Sequence, residues 1–91
     1  MHLILLYLSS VELAIERVAE RARSGGHDIP EEIIRRRFRR GLDNFRNLYF
    51  PVADFFVVYD NSQEFPEMIA RGHNGVADEV FNSDIWKSIL E

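Results

Sequence analysis

The sequence predicts an α/β domain, and two observations predict it. Residues 3–8 and 55–59 are unbroken apolar runs, each of strand length. Between them lie roughly 45 residues of helical character, the kind of crossover that joins strands in a parallel sheet. Neither run alternates apolar with polar residues, so each reads as a strand covered by helices on both faces.

Ser9 follows the first run, and Glu12 stands three residues on. That is the spacing of a capping box, with a hydroxyl at the N-cap and a carboxylate at the third helical position. The helix it opens carries Val11, Ala14, Ile15, Val18, Ala19 and Ala22 on one face. Gly25 and Gly26 stop it, because glycine takes the left-handed conformation that ends helices at little steric cost.

His27 to Pro30 form a connector. Asp28 is placed to cap the next helix, and Pro30 is tolerated in a first turn whose N–H groups need no intrahelical partner. The second helix places Ile34, Phe38, Leu42, Phe45 and Leu48 on one stripe, with Arg35, Arg36, Arg39, Arg40 and Asp43 off it. Pro51 ends this helix and pushes Phe50 toward an extended conformation. The second strand closes on Asp60, Asn61 and Ser62, which stand after a buried strand where α/β ligand sites often lie but read first as a set of turn-forming residues. Beyond Pro66, residues 68–70 and 76–81 read as a hairpin around residues 71–75. Ser83 then caps a last short helix carrying Ile85, Trp86, Ile89 and Leu90.

With 91 residues the chain is one small domain. Two strands that are apolar on both faces ask for neighbouring strands and for helices on two sides. A two-stranded sheet is marginal alone, and bare apolar edges invite association. The chain therefore reads as the second half of a larger α/β domain, expected to be loosely stable by itself or to self-associate through its strand edges.

Cysteine is absent, which removes disulfides, thiolate-bound zinc and thiol nucleophiles together and fits a reducing cytoplasm. No run approaches the ~20 apolar residues of a membrane span. His2, His27 and His73 show no metal-ligand spacing. The net charge of −4 argues against general attraction to nucleic acid or membrane.

Charge is nevertheless concentrated. Residues 17–46 hold nine of the eleven basic side chains and five of the fifteen acidic ones, which makes the segment +4 and the remainder −8. Arginine offers a planar, permanently charged fork suited to phosphate oxygens. A plainer reading stands beside that one. Glu31–Arg35, Glu32–Arg36 and Arg39–Asp43 are each spaced i, i+4, which makes a solvated helix face laced with weak ion pairs. A helix reading RRRFRR could also contact nucleic-acid phosphates, though the interleaved acids argue against it.

Residues 25–30 read GGHDIP, and residues 35–38 read RRRF. With Leu13, Ala14, Arg17, Val18 and Arg21 before them, and Arg40, Gly41, Leu42, Asn44, Leu48, Tyr49 and residues 59–62 after them, they closely resemble the C-terminal half of the zeta-toxin-like P-loop kinases. The ending, with Glu79, Val80, Phe81, Ile85 and Trp86, is similar too, so the resemblance covers nearly the whole chain. It implies an incomplete P-loop kinase-type three-layer fold, with two parallel strands joined by a two-helix lid over residues 21–40. It also implies ATP- and Mg2+-dependent phosphoryl transfer to a small hydroxyl substrate, which in the zeta toxins is a UDP-amino sugar.

Carried onto matching positions, the resemblance gives Arg17, Arg21, Arg36 and Arg37 as triphosphate contacts, with His27 in the lid motif. Arginines so placed offset charge on a transferred phosphoryl group. The chain departs from the family in one decisive respect, because it contains no G-x-x-x-x-G-K-[ST] loop and its one lysine is Lys87. That loop supplies the amide cradle, the phosphate-contacting lysine and the magnesium-binding hydroxyl. The family's catalytic aspartate would also lie upstream. The expectation is a lid-bearing portion, inactive and without cofactor alone, or an interaction module that pairs with a separate N-terminal half.

Overall fold

The computed structural model describes every residue, Met1–Glu91. Four strands form one sheet in the order β1 (His2–Tyr7), β2 (Phe55–Asp60), β3 (Glu67–His73) and β4 (Val76–Val80). β1 and β2 are parallel with His2 opposite Phe55, and the other two pairings are antiparallel. The connection from β1 to β2 carries helices α1 (Val11–Arg23) and α2 (Glu31–Asn44), and α3 (Ser83–Leu90) ends the chain. The mixed α/β class and the parallel pair agree with the sequence.

Local chemistry accounts for the element ends, with some shifts. Ser10, not Ser9, caps α1, its hydroxyl accepting from the Leu13 N–H at 3.2 Å. Ser9 instead donates its N–H to the Ser62 hydroxyl at 2.9 Å, tying the end of β1 to the end of β2. Glu12, freed from a capping role, reaches Arg35 at 3.7 Å. α1 stops where expected, with Gly25 at φ +98° and the Gly26 N–H donating to the Arg21 carbonyl at 2.7 Å. Asp28 caps nothing, because Pro30 occupies the N-cap of α2. Asn82 caps α3 in place of Ser83, accepting from the Ile85 N–H at 3.1 Å.

The largest local departure lies at the end of α2. Phe45–Tyr49 form a π turn, in which the Phe50 N–H donates to the Phe45 carbonyl five residues back. The extra residue in the turn rotates Leu48 out to 57% exposure and brings Phe50 onto the buried stripe. Phe50 keeps helical angles, φ −56° and ψ −46°, even before Pro51. The i to i+5 bond and ring packing outweigh the usual bias of a residue preceding proline. Phe50 stacks on Phe45 and meets Phe56 and Trp86 edge to face.

The hairpin is longer than the sequence indicated. β3 runs through Arg71, Gly72 and His73, and only Asn74 and Gly75 make the turn, both at positive φ. Two left-handed residues match the twist of a tight two-residue hairpin. Gly72 faces Phe56 at the centre of the sheet. A Cβ there would stand 2.0 Å from the Val76 carbonyl oxygen and 2.8 Å from Phe56 Cε1.

One core forms on one face of the sheet from Phe45, Ala53, Phe56, Val58, Ile69, Ala70, Trp86 and Ile89. Leu3, Leu5 and Tyr7 of β1 pack at its border. The opposite face is not covered. Ile4, Leu6 and Phe55 are 64%, 58% and 55% exposed, so the expectation of strands buried on both sides holds for one side only. Continuous apolar sequence had implied two covering layers, and the chain folds with helices packed into a single core. α1 contributes no buried residue, and its apolar face is half-exposed along its length.

Candidate functional site

The basic segment folds into α1, the Gly25-Gly26 stop and α2, so its arginines leave two packed helices in several directions. Their partners sort them. Arg35 donates to Glu31 at 2.7 Å, and that hydrogen bond holds its guanidinium pKa above the ordinary arginine value. Arg46 pairs with Asp43. The expected pairs Glu32–Arg36 and Arg39–Asp43 do not form, while Glu31–Arg35 does. Arg17, Arg21, Arg36 and Arg37 make no ion pair.

Three of those four residues line two neighbouring clefts. Arg17 and Arg21, one turn apart on α1, line a cleft of about 240 Å³ together with Leu6, Leu8 and Asn61. Arg37 of α2 lines an adjoining cleft of about 180 Å³ that shares Leu6 and Leu8. Both clefts sit at the carboxyl end of β1. Asn61 arrives from the carboxyl end of β2, where its N–H donates to the Tyr7 carbonyl at 2.7 Å. Ligands of open α/β sheets bind beyond the carboxyl ends of parallel strands. Cations without carboxylate partners, set beside apolar Leu6 and Leu8, give a place where an anionic group would meet few competing negative charges.

Arg36 and His27 stand apart. Both are exposed, and neither lines these clefts. Arg36 is adjacent in sequence to Arg37, but a helix turns about 100° per residue, so the two diverge. His27 lies in the connector before α2, beyond the Gly25-Gly26 stop. Asp60 and Ser62 also remain outside. The Asp60 carboxylate accepts from the Ser62 N–H at 3.0 Å and from its hydroxyl, which closes a local turn. Asn61, read from sequence as part of that turn, is the polar residue that joins the cleft. Its signal was its position directly after a strand.

The largest concavity, about 590 Å³, lies elsewhere, on the uncovered sheet face among His2, Ile4, Phe55, Tyr59 and Arg71. Its one guanidinium is held by Glu79, with Nε at 3.1 Å from Oε1, and that bond raises the Arg71 pKa. Asp78 adds negative charge there and holds His73 at 2.6 Å. This surface is apolar with an acidic margin, a poor match to an anion. No cluster of three or more His, Asp or Glu side chains is gathered anywhere in a geometry that would hold a metal ion. No helix is long and apolar enough to cross a membrane.

Comparison with protein-family models, with curated proteins and with solved structures yields no match to this chain.

Proposed function

We propose that this chain is the lid-bearing, phosphate-contacting portion of a zeta-toxin-like ATP-dependent small-molecule kinase. The observation that carries the proposal is that Arg17, Arg21 and Arg37, all free of ion pairs, line two adjoining clefts at the carboxyl end of β1. In this reading those guanidiniums contact nucleotide phosphates, and Arg36 and His27 join them only if the segment over residues 21–40 closes. Phosphoryl transfer gains most of its rate from positioning and charge stabilisation, which is what such arginines supply.

The same reading leaves the chain without an engine. A P-loop lysine, an amide cradle and a magnesium-binding hydroxyl would have to come from another segment, since the sequence contains no P-loop motif. Alone, the chain binds phosphate groups weakly and transfers none. A second reading, a non-catalytic half that pairs with a separate strand-bearing partner, is favoured by the uncovered sheet face and the free edge of β1.

Calorimetric titration with ATP and Mg2+ at low salt tests the first reading. Weak binding that disappears in the double variant Arg17→Ala, Arg21→Ala, and persists in Arg23→Ala, supports it. Binding that ignores the double substitution, or no binding in the unaltered chain, removes the phosphate role.

A further inference from the structure

The two edges of the sheet are built differently. β4 is five residues long, has a register shift against β3, and places Asp78 and Glu79 in its middle. Short length, irregularity and charge are the devices that keep an edge from pairing. β1, the other edge, is one residue longer and lacks the other two. Its six residues, His2–Tyr7, contain no proline, no lysine and no carboxylate, and its register with β2 is unbroken.

The backbone of β1 offers a complete half-ladder. The Met1 carbonyl accepts from Asp54 and Phe55, and the Tyr7 carbonyl accepts from Asn61. Odd-numbered residues therefore turn their polar groups toward β2. Because direction alternates along a strand, His2, Ile4 and Leu6 turn theirs to the open edge.

From this pattern we infer that β1 pairs antiparallel with β1 of a second copy of the chain, about a two-fold axis at Ile4. Only a register that matches even residues with even residues satisfies both edges. Centring it on Ile4 sets His2 opposite Leu6, Ile4 opposite Ile4, and Leu3 opposite Leu5. About six inter-chain hydrogen bonds result, which leaves no outward group of His2, Ile4 or Leu6 unpaired. No like charges face each other across the axis, because β1 has no aspartate, glutamate, lysine or arginine. Self-complementarity of this kind is what an isologous dimer requires. It also joins the two uncovered apolar faces, where Ile4 and Leu6 stand 64% and 58% exposed, into one eight-stranded surface. The inference does not rest on the kinase reading.

Sedimentation velocity of the whole chain across a concentration series tests it. The expected result is a reversible monomer–dimer equilibrium that Ile4→Lys shifts to monomer, while Val76→Lys on the far edge leaves it unchanged. Ile4 is mostly exposed, so the fold tolerates lysine there, and circular dichroism verifies that. Hydrogen exchange gives a second readout without any substitution: the amides of His2, Ile4 and Leu6 become protected as concentration rises. A monomer at every concentration overturns the inference. So does a dimer indifferent to Ile4→Lys, or edge amides that exchange equally fast in dilute and concentrated samples.

Discussion

Phe56 of β2 and Trp86 of α3 stack in an offset arrangement, with ring centroids 5.6 Å apart and planes within 6° of parallel. This contact fastens the last helix to the centre of the sheet. Phe45 and Phe50, from the end of α2, meet the same tryptophan edge-on at 6.3 and 5.5 Å. Four rings thus join the crossover, the sheet and the final helix in one cluster. Phe45, Phe56 and Trp86 are three of the eight buried core residues, and Phe50 packs against them, so this cluster is a large part of the core.

Trp86→Ala should therefore cost about 3–5 kcal/mol, the range for truncating a large buried aromatic. Urea unfolding followed by circular dichroism measures it. A cost under about 1 kcal/mol would mean that α3 contributes little to the folded state.

Gly72→Ala should destabilise by about 1–3 kcal/mol, as overpacking does. The added methyl would meet the Val76 carbonyl, Phe56 Cε1 and Ala77 Cα, all within 2.9 Å. Two of those three contacts are backbone, so the hairpin itself must move. Unchanged unfolding would show that β3 and β4 separate more easily than their register implies.

Gly41→Ala should act in the opposite sense. Gly41 lies inside α2, and a methyl added there would meet nothing within 4 Å. Alanine restricts the unfolded chain and favours the helix, a gain of about 1 kcal/mol. A higher melting temperature is the expected readout.

The isolated chain should hydrolyse no ATP and phosphorylate no sugar nucleotide, because it has no P-loop lysine or hydroxyl to hold the triphosphate and magnesium. A phosphate-release assay checks this. Turnover that survives Arg17→Ala, Arg21→Ala would place any chemistry outside the proposed clefts.

The strand–helix–helix–strand order was legible in the sequence because long apolar runs and a 3.6-residue period are strong local signals. Three caps fall one or two residues from their expected places. Ser9 and Ser10, or Asn82 and Ser83, are chemically near-equivalent cap formers, and only the chain's path selects between them. The π turn at Phe45–Tyr49 was not legible, because a constant period carried past Phe45 selects Leu48, whereas aromatic packing selects Phe50. Burial on one face of β1 and β2 escaped detection for a related reason. An apolar run says that both faces prefer cover, not that the chain supplies it. Of the candidate arginines, Arg17, Arg21 and Arg37 line the two clefts at the end of β1, while Arg36 turns away by one helical step. Spacing along a helix predicts that divergence, but a motif match alone does not.

If the free arginines at the end of β1 receive phosphate groups, nucleotide must perturb the residues around them. Amide-resolved NMR of the chain, with and without ATP and Mg2+, tests this most directly. The predicted result is a dispersed spectrum in which Arg17, Arg21, Arg37, Leu8 and Asn61 shift on adding nucleotide, while the hairpin residues of β3 and β4 stay still. A dispersed spectrum with no response at those residues, or with shifts confined to the uncovered sheet face, would contradict it.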